Sequence, residues 1–466
     1  MSMIPEAALE ALATAAGAGN ATRDADRLAP LLTDWRGRFH GAAPLLLLPR
    51  TTEDVVAVVR AAAHWRVPLV PQGGNTGLVG GGIPPADGSA VLVSLARLNR
   101  IRAVDADGLT LIAEAGVVLE AVHAAAADVD CAFPLSLAAK GSATVGGLVA
   151  TNAGGVQVLR HGTMRALVAG IEAVLPDGSR LDQLTGLAKD NTGYDIKQLL
   201  IGGEGTLGIV TAATLRLVPA PAHRSVAWAG VTDPAAALAL LGRLRRASGG
   251  QVESFELVPD IALQLVLHHV ETARAPLAGT HPWHVLVELA GPASLESVLA
   301  DELLGAGVDD AVLASSATQA AALWALRESI PIAERREGPA VHHDIAVAVA
   351  AMPAFTLAAT ARVMAAFPGA RVIAFGHLGD GNLHFNVRPP ADGDAVAWLA
   401  PRRAAITTLV HDLVTAAGGS ISAEHGIGVL KRDDLARLGD PAKLAAMRAV
   451  KAALDPLNIM NPGKLV

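Results

Sequence analysis

The first clear pattern of apolar and polar positions lies between residues 45 and 72. Residues 45–48 are an apolar run, and Thr51 and Thr52 then offer N-cap hydroxyls ahead of an acidic first turn. Apolar residues follow at helical spacing, at Val55, Val58, Val59 and Ala62. Residues 67–71 have the composition of a further strand. The pattern therefore predicts a β-α-β unit whose second strand runs into a glycine-rich loop.

The remaining patterns predict the organisation of the chain. Beyond Pro219 and Pro221, Ala- and Leu-rich helical patterns alternate with short strand-like runs as far as about residue 368. A strand–turn–strand pattern covers residues 372–388, and a last helical pattern covers residues 441–454. We therefore predict an α+β fold. Its parts are an N-terminal helical segment (1–40), a first domain (41–220), a second α+β domain with an antiparallel sheet (221–415), and a C-terminal segment (416–466).

Three glycine-rich stretches stand out in the first domain, at residues 72–77, 140–155 and 202–210. Glycine lets backbone N–H groups turn toward a ligand, and successive N–H groups form a concave site for phosphate oxygens. The first stretch is not a Rossmann fingerprint, because residues 80–85 contain three glycines and two prolines where that motif needs a helix. It is not a P-loop either, since no Gly-Lys-Ser/Thr follows. A bound dinucleotide is the functional interpretation, and tight turns are the structural alternative.

Composition excludes several classes of protein. The 466 residues carry a net charge of −7 with 3% aromatic residues, which does not fit a nucleic-acid-binding surface. The single cysteine, Cys131, excludes an intramolecular disulfide and an all-cysteine metal cluster. No uninterrupted apolar stretch approaches the length of a membrane span, and residues 1–20 lack the basic leader of a signal peptide. We therefore expect a cytoplasmic protein.

Several motifs together resemble one family. They are Pro71-Gln72-Gly73-Gly74-Asn75-Thr76-Gly77-Leu78, Ala139-Lys140-Gly141-Ser142, Asn191-Thr192-Gly193-Tyr194-Asp195, Gly203-Glu204-Gly205-Thr206-Leu207-Gly208-Ile209 and Asn461-Pro462-Gly463-Lys464. In this order they resemble the FAD-linked oxidases of the vanillyl-alcohol-oxidase type, most closely the D-2-hydroxyglutarate and D-lactate dehydrogenase branch. The resemblance extends from residue 43 to residue 466. It implies a two-part FAD domain, a cap domain that binds substrate, and a C-terminal segment that returns to the flavin.

The resemblance also implies where FAD binds. Some relatives carry a histidine in the first loop that bonds covalently to the flavin; this chain has Asn75, so we expect non-covalent FAD. The expected FAD-binding residues are Pro71, Gln72, Gly73, Gly74, Asn75, Thr76, Gly77, Leu78, Pro134, Leu135, Gly141, Ser142, Thr144, Gly146, Gly147, Asn152, Gly154, Gly155, Glu204, Gly205, Gly208, Ile209 and Asn461.

A candidate metal site lies in the strand–turn–strand pattern. Gly379-Asp380-Gly381 is a hairpin turn signal, so pairing can bring His377 near His384. Hydrogen-bonded structural histidines are the alternative. The resemblance implies that both are metal ligands and that Glu424 is the third. Two imidazoles and a carboxylate with an open position are typical of catalytic zinc, and the set also admits manganese, iron or cobalt.

The resemblance further implies a reaction. A metal lowers the pKa of the substrate hydroxyl, His425 takes the proton as general base, and hydride leaves C2 for flavin N5. Arg327 matches the arginine that grips the substrate carboxylate; its alternative is a surface ion pair with Glu328 or Glu334. Asn386 is a further substrate residue, with strand-edge hydrogen bonding as its alternative. The expected substrate is D-2-hydroxyglutarate, and D-malate is a second candidate.

Two positions depart from the hydroxyglutarate branch. Pro331 stands where that branch has a threonine, and His342 where a lysine binds the distal carboxylate. His342 can still donate a hydrogen bond to substrate. A D-lactate dehydrogenase or glycolate-oxidase-type subunit therefore stays open as an alternative.

Outside this class the alternatives are a metallohydrolase and a flavin-carrying electron-transfer protein without a substrate of its own. The expected electron acceptor is an electron-transfer flavoprotein or a quinone, and the expected assembly is a homodimer.

Overall fold

The computed structural model describes residues 4–466, so only the first three residues of the predicted N-terminal segment lie outside it. The strands are β1 (Ala21–Thr22), β2 (Leu46–Leu47), β3 (Leu69–Gln72), β4 (Val91–Ser94), β5 (Ile101–Asp105), β6 (Thr110–Glu114), β7 (Cys131–Ala132), β8 (Val168–Val174), β9 (Arg180–Gln183), β10 (Ile209–Arg216), β11 (Val218–Pro219), β12 (His223–Val231), β13 (Val252–Pro259), β14 (Trp283–Gly291), β15 (Ala311–Leu313), β16 (Val341–Ala346), β17 (Arg371–His377) and β18 (Asn382–Arg388).

The α-helices are α1 (Glu6–Ala15), α2 (Ala25–Leu28), α3 (Thr52–Trp65), α4 (Leu119–Ala127), α5 (Val145–Thr151), α6 (Val158–His161), α7 (Met164–Leu167), α8 (Lys197–Leu200), α9 (Pro234–Ala247), α10 (Asp260–His269), α11 (Glu296–Gly305), α12 (Ala317–Glu328), α13 (Ile330–Arg336), α14 (Met352–Ala366), α15 (Ala395–Leu399), α16 (Arg403–Ala416), α17 (Arg432–Leu438) and α18 (Pro441–Leu454). Short 3-10 turns cover Ala29–Leu31 and Val349–Ala351.

The chain divides into two compact units, each assembled from separate stretches of sequence. Unit 1 comprises Met1–Gly155, His161–Ala220 and Glu424–Val466, and unit 2 comprises Val156–Arg160 and Pro221–Ala423. The mixture of helices with antiparallel sheets confirms the predicted α+β class.

The predicted β-α-β pattern is present in unit 1. Thr51 and Asp54 form a capping box at the start of α3, in which each side chain accepts from the other's backbone N–H. Strands β2, β4 and β3 are parallel neighbours, with β1 antiparallel at the edge. Strand β3 ends at Gln72, directly before the first glycine-rich loop, and residues 80–85 are not helical.

Unit 1 also contains an antiparallel sheet in the order β5-β6-β10-β8-β9. The core beside the parallel strands is completed from both ends of the sequence, because Ile459 and Met460 are buried in it together with residues of α1 and α3. Leu69 of β3 donates its N–H to the Ile459 carbonyl at 2.7 Å and accepts from the Asn461 N–H at 2.8 Å. The C-terminal residues therefore extend the sheet that contains β3, not the antiparallel one.

Unit 2 is organised around a seven-stranded antiparallel sheet in the order β15-β12-β14-β13-β17-β18-β16. Apolar side chains on one sheet face pack with residues of α10, α12 and α13. The predicted strand–turn–strand is the β17–β18 hairpin, and Gly381 in its turn has φ +87°. The sheet thus presents a few polar side chains on an otherwise apolar face.

One helix of the described residues, Val349–Ala366, is long and apolar enough to cross a membrane by length and composition, with a mean hydropathy of 1.4. Its α14 portion contacts α9, α16 and β17 of unit 2. Core helices pass the same test, so this is weak evidence for a span.

Candidate active site

The first and second glycine-rich stretches meet in unit 1. A Cβ on Gly73 would collide with the Thr144 hydroxyl, and one on Gly74 would overlap the Ser142 carbonyl oxygen. Glycine is therefore required at both positions for this close approach. The two loops therefore lie side by side, and we call them the cradle. A Cβ on Gly77, in the same first loop, would meet no other atom within 4 Å.

Buried polar atoms without protein partners lie in the same set of predicted FAD residues. They are the Thr144 Oγ1, the Gln72 Oε1 and the Asn461 Oδ1. Buried polar groups are normally hydrogen-bonded, so orphaned ones call for a further partner. All the residues expected to bind FAD lie in unit 1. Glycine-rich loops that contain buried polar atoms without a protein partner fit a bound dinucleotide, which could supply those partners.

Asn75, which stands where some relatives have a flavin-linked histidine, has a structural role in the first loop. Its backbone is left-handed, with φ +52°. Its amide nitrogen donates to the Thr33 carbonyl at 2.9 Å. An amide is not a nucleophile for flavin attachment, so the residue fits non-covalent FAD.

Two expected FAD residues use their side chains within the protein. Glu204, buried at 8% exposure, accepts hydrogen bonds from the N–H groups of Ile427 and Gly428, both at 2.7 Å. Asn152 accepts the Arg165 N–H at 2.9 Å. The Glu204 carboxylate thus binds the backbone of the C-terminal stretch. That Glu204 also contributes to the FAD site stays a prediction.

The two hairpin histidines lie together in unit 2, as predicted. His377 ends β17 and His384 lies in β18, and a ring nitrogen of each comes within 4.8 Å of the other. The ring centroids are 5.5 Å apart with the planes at 78°. Phe375 is paired with His384 across the hairpin and packs at 5.1 Å from its ring, so the apolar face limits the freedom of that imidazole.

Glu256 of β13 is a functional candidate that the sequence did not reveal. It is paired in register with His377, and it is fully buried. Its Oε1 accepts from the His377 Nδ1 at 2.6 Å, and its Oε2 accepts from the Arg327 Nε at 2.7 Å. Burial alone would raise the pKa of the Glu256 carboxyl, but the charges of His377 and Arg327 lower that pKa to about 2. Glu256 thus links the expected metal ligand to the expected substrate arginine.

Arg327 lies near the end of α12 and is buried. Its guanidinium stacks on Phe375 at 4.8 Å and donates through Nε to Glu256. The alternative of a surface ion pair with Glu328 or Glu334 is therefore wrong, because the partner is Glu256, a buried residue of strand β13. One edge of the guanidinium is held, which orients the two Nη groups that a carboxylate could bind.

Asn386 follows His384 on the same face of β18, and its amide donates to the Glu334 Oε2 at 2.7 Å. Strand-edge hydrogen bonding is excluded as its explanation, since β18 lies between β17 and β16. His342 of β16 is the cross-strand partner of Asn386 and is partly exposed. The three residues expected to bind substrate, Arg327, Asn386 and His342, therefore belong to one unit.

Asp344 is a second carboxylate that sequence reasoning missed near the histidines. It is paired in register with His384, and its Oδ1 lies 3.8 Å from the His384 Nδ1. The same oxygen accepts from the Asn382 amide at 2.9 Å. His384 is therefore flanked by a carboxylate, as metal-bound histidines usually are.

Glu424 and His425 begin the last segment of unit 1, directly after the end of unit 2. The preceding residue, Ala423, donates its N–H to the Asp344 carbonyl at 3.3 Å. Both side chains are partly exposed, and Gly426 follows with φ +79°.

Comparison with known proteins adds the family. The model described as "FAD binding domain" matches residues 43–182, and the model described as "FAD linked oxidases, C-terminal domain" matches residues 220–465. This chain therefore belongs to the FAD-linked oxidase family.

Individual relatives indicate which class of FAD-linked oxidase the chain belongs to. The D-2-hydroxyglutarate dehydrogenase of Xanthomonas citri pv. viticola is 40% identical over 437 residues, which are 93% of this chain and 91% of the relative. The mitochondrial D-2-hydroxyglutarate dehydrogenase of Arabidopsis thaliana is 35% identical over 456 residues, 97% of this chain and 80% of the relative. The chain is an FAD-dependent oxidoreductase of the D-2-hydroxy acid dehydrogenase class.

A solved structure of p-cresol methylhydroxylase with substrate bound covers 98% of this chain and 96% of its own, with a TM-score of 0.78 and 17% identity. At that identity the likeness shows the fold alone.

Proposed function

We propose that the enzyme oxidises D-2-hydroxyglutarate, and also D-malate, to the 2-oxo acid with the aid of a divalent metal, most simply zinc. The observation that carries the proposal is the His377–His384 pair, whose first member is held by Glu256 next to Arg327. The relatives named above as D-2-hydroxyglutarate dehydrogenases support the substrate.

The donor set fits a metal. With the His377 Nδ1 bonded to Glu256, the atom that would bind the metal is its Nε2. His384 would supply the second nitrogen and Glu424 the carboxylate, a set that zinc accepts. The chemistry that the metal supplies when bound is Lewis-acid lowering of the pKa of the substrate hydroxyl. The chemistry that FAD supplies is acceptance of the hydride from C2.

The protein residues then orient the substrate and move its proton. The Nη groups of Arg327 bind the C1 carboxylate in a two-pronged contact. His425 takes the hydroxyl proton, since imidazole titrates near neutral pH. Asn386 and His342 lie on the same sheet face as Asp344 and contact the remainder of the substrate.

A D-lactate dehydrogenase or glycolate-oxidase-type activity is the second candidate. Pro331 and His342 replace residues that the hydroxyglutarate branch uses for the distal carboxylate. A relative named "Putative D-lactate dehydrogenase", mitochondrial, from Schizosaccharomyces pombe is 35% identical over 453 residues, 93% of this chain and 84% of its own.

A substrate panel distinguishes the two. Purified enzyme is assayed with D-2-hydroxyglutarate, D-malate, D-lactate and glycolate and a dye acceptor, alongside a flavin spectrum and metal analysis. We expect the dicarboxylates to have the highest kcat/KM, and His342→Lys to raise their advantage over D-lactate by about tenfold, with His342→Gln as the neutral control. A higher kcat/KM for D-lactate in the wild type, or a protein without flavin, would contradict the proposal.

We further propose an electron-transfer flavoprotein or a quinone as electron acceptor, a homodimeric assembly and a cytoplasmic location. A reconstituted assay with each acceptor, sedimentation of the purified protein and cell fractionation test these three points.

A further inference from the structure

The Glu204 carboxylate is the anchor of a loop that follows His425. Its two oxygens accept hydrogen bonds from consecutive N–H groups, those of Ile427 and Gly428, each at 2.7 Å. Hydrogen bonds to an ionised acceptor are shorter and stronger than neutral ones. One side chain therefore fixes two successive peptide units, and the imidazole of His425 is attached two residues upstream.

The loop has a conformation that needs such an anchor. Gly426 and Gly428 have φ values of +79° and +52°, in the left-handed region that side chains rarely adopt. A Cβ on Gly426 would lie 2.8 Å from the Glu204 Oε1. Beyond the loop, Val429 and Leu430 both donate to the Val79 carbonyl, at 2.9 and 3.2 Å. The carboxylate thus holds the half of the loop nearest to His425.

Glu204 itself is held by its backbone. Its φ of +51° is left-handed, a conformation that is unfavourable for a non-glycine residue. Its N–H donates to the Ala150 carbonyl at 2.8 Å, and its carbonyl accepts from the Asn461 amide at 2.8 Å. Hydrogen bonds on both sides of this strained residue fix the position of its Cα. The carboxylate therefore starts from a defined point, which a positioning residue requires.

The charge of the carboxylate is compensated. Burial raises the pKa of Glu204, while the N–H groups of Ile427 and Gly428 and the nearby Lys431 and Lys464 oppose that rise. Lys431 and Lys464 are themselves buried. Replacing the carboxylate would deprive the N–H groups of Ile427 and Gly428 of their acceptor, which is costly for buried donors.

We infer that Glu204 is a positioning residue that fixes the loop 426–428 and thereby the imidazole of His425. This rests on the proposed function in one respect, the role of His425 as the base. The residue acts through the loop and not through FAD, although it lies in a glycine-rich stretch that the family motif associates with the cofactor.

The test compares Glu204→Gln with Glu172→Gln, another buried carboxylate of unit 1, whose hydrogen bonds go to the side chains of Thr52, Arg102 and Thr211. A glutamine at 204 can accept one loop N–H but presents an amide N–H to the other. We expect hydrogen exchange of residues 424–430 in the flavin-free protein to accelerate at least about tenfold in Glu204→Gln and to stay unchanged in Glu172→Gln. In the holoenzyme, kcat should fall about 10- to 100-fold at nearly constant KM and flavin content.

A second variant covers the case in which Glu204→Gln does not fold. Gly426→Ala leaves the carboxylate intact but forces the loop away from it, and it should give the same exchange and kcat changes. Gly418→Ala is its control, because Gly418 has a similar φ of +70° with nothing near the new methyl group. Unchanged exchange at 424–430 in both loop variants would overturn the inference, as would loss of flavin from Glu204→Gln without faster exchange. Full turnover of His425→Ala would instead refute the assignment of His425 as the base. The hydrogen-exchange result would then still decide whether Glu204 fixes the loop 426–428.

Discussion

Glu256→Gln is the perturbation that most directly tests how the metal-ligand histidine is held. The carboxylate accepts from both the His377 Nδ1 and the Arg327 Nε and has no exposed surface. Glutamine has one acceptor and one NH2 donor. If its oxygen stays with Arg327, its NH2 group faces the His377 Nδ1, and the imidazole must carry its proton on Nε2, where no lone pair is left for a metal.

The expected magnitude follows from these two contacts. Loss of a carboxylate that orients a ligating histidine weakens metal binding about 10- to 100-fold. Removing one member of a buried ion pair costs about 3–5 kcal/mol of stability, because the Arg327 charge stays buried. Zinc affinity by chelator competition and thermal melting of the metal-free protein measure the two effects separately.

Glu288→Gln is the matched control. Glu288 is a buried carboxylate of the same sheet that pairs with Arg224 and accepts from the Trp324 indole at 2.7 Å, away from the hairpin. It should lose stability without losing zinc affinity. If Glu256→Gln binds zinc as tightly as the wild type, the assignment of the His377 Nε2 as a ligand is refuted.

The remaining predictions concern FAD, pH and metal removal. Gly74→Ala should abolish FAD binding, since the methyl group overlaps the Ser142 carbonyl; a normal flavin spectrum would contradict the cradle. Burial would raise the pKa of Glu172, but hydrogen bonds from charged and hydroxyl donors lower it from 4.5 to about 2. Its carboxylate therefore contributes about 3 kcal/mol to the free energy of unfolding above pH 4.5, and this contribution is lost as the pH falls toward 2. In denaturant titrations, Glu172→Gln should lower the free energy of unfolding at pH 7 by most of that amount. The variant should also show a weaker fall of stability between pH 4.5 and pH 2 than the wild type. Chelator treatment, or the double variant His377→Ala/His384→Ala, should abolish turnover but leave the flavin spectrum intact, and zinc should restore only the wild type.

Much of the fold could be predicted because the decisive signals are local. The capping residue Thr51 and the apolar spacing after it define α3, and the Gly379-Asp380-Gly381 turn defines the hairpin that brings His377 to His384. Helix α18 begins and ends where its pattern does, between Pro441 and Leu454. The family motifs, which are spread along most of the chain, predict the class of protein, an FAD-linked oxidase.

The missed features depend on long-range pairing. Glu256 looks like an ordinary strand residue, and its importance arises only from the register of β13 with β17, 121 residues along the chain. The sequence neighbours of Arg327 offer Glu328 and Glu334 as partners, yet its partner, Glu256, comes from that same distant strand. Glu204 sits in a cofactor motif, and only the fold shows that its carboxylate binds the backbone at Ile427 and Gly428, more than two hundred residues later.

The position of the C-terminal residues in unit 1 has a consequence for biosynthesis. Ile459 and Met460 fill the core beside β3, so a ribosome must synthesise the chain through residue 460 before the sheet that begins at Ala21 is complete. Until then the nascent flavin domain exposes an unfilled apolar groove and an unpaired backbone at Leu69. A nascent chain arrested before residue 459 should thus depend on chaperones even though all three glycine-rich stretches have long been synthesised.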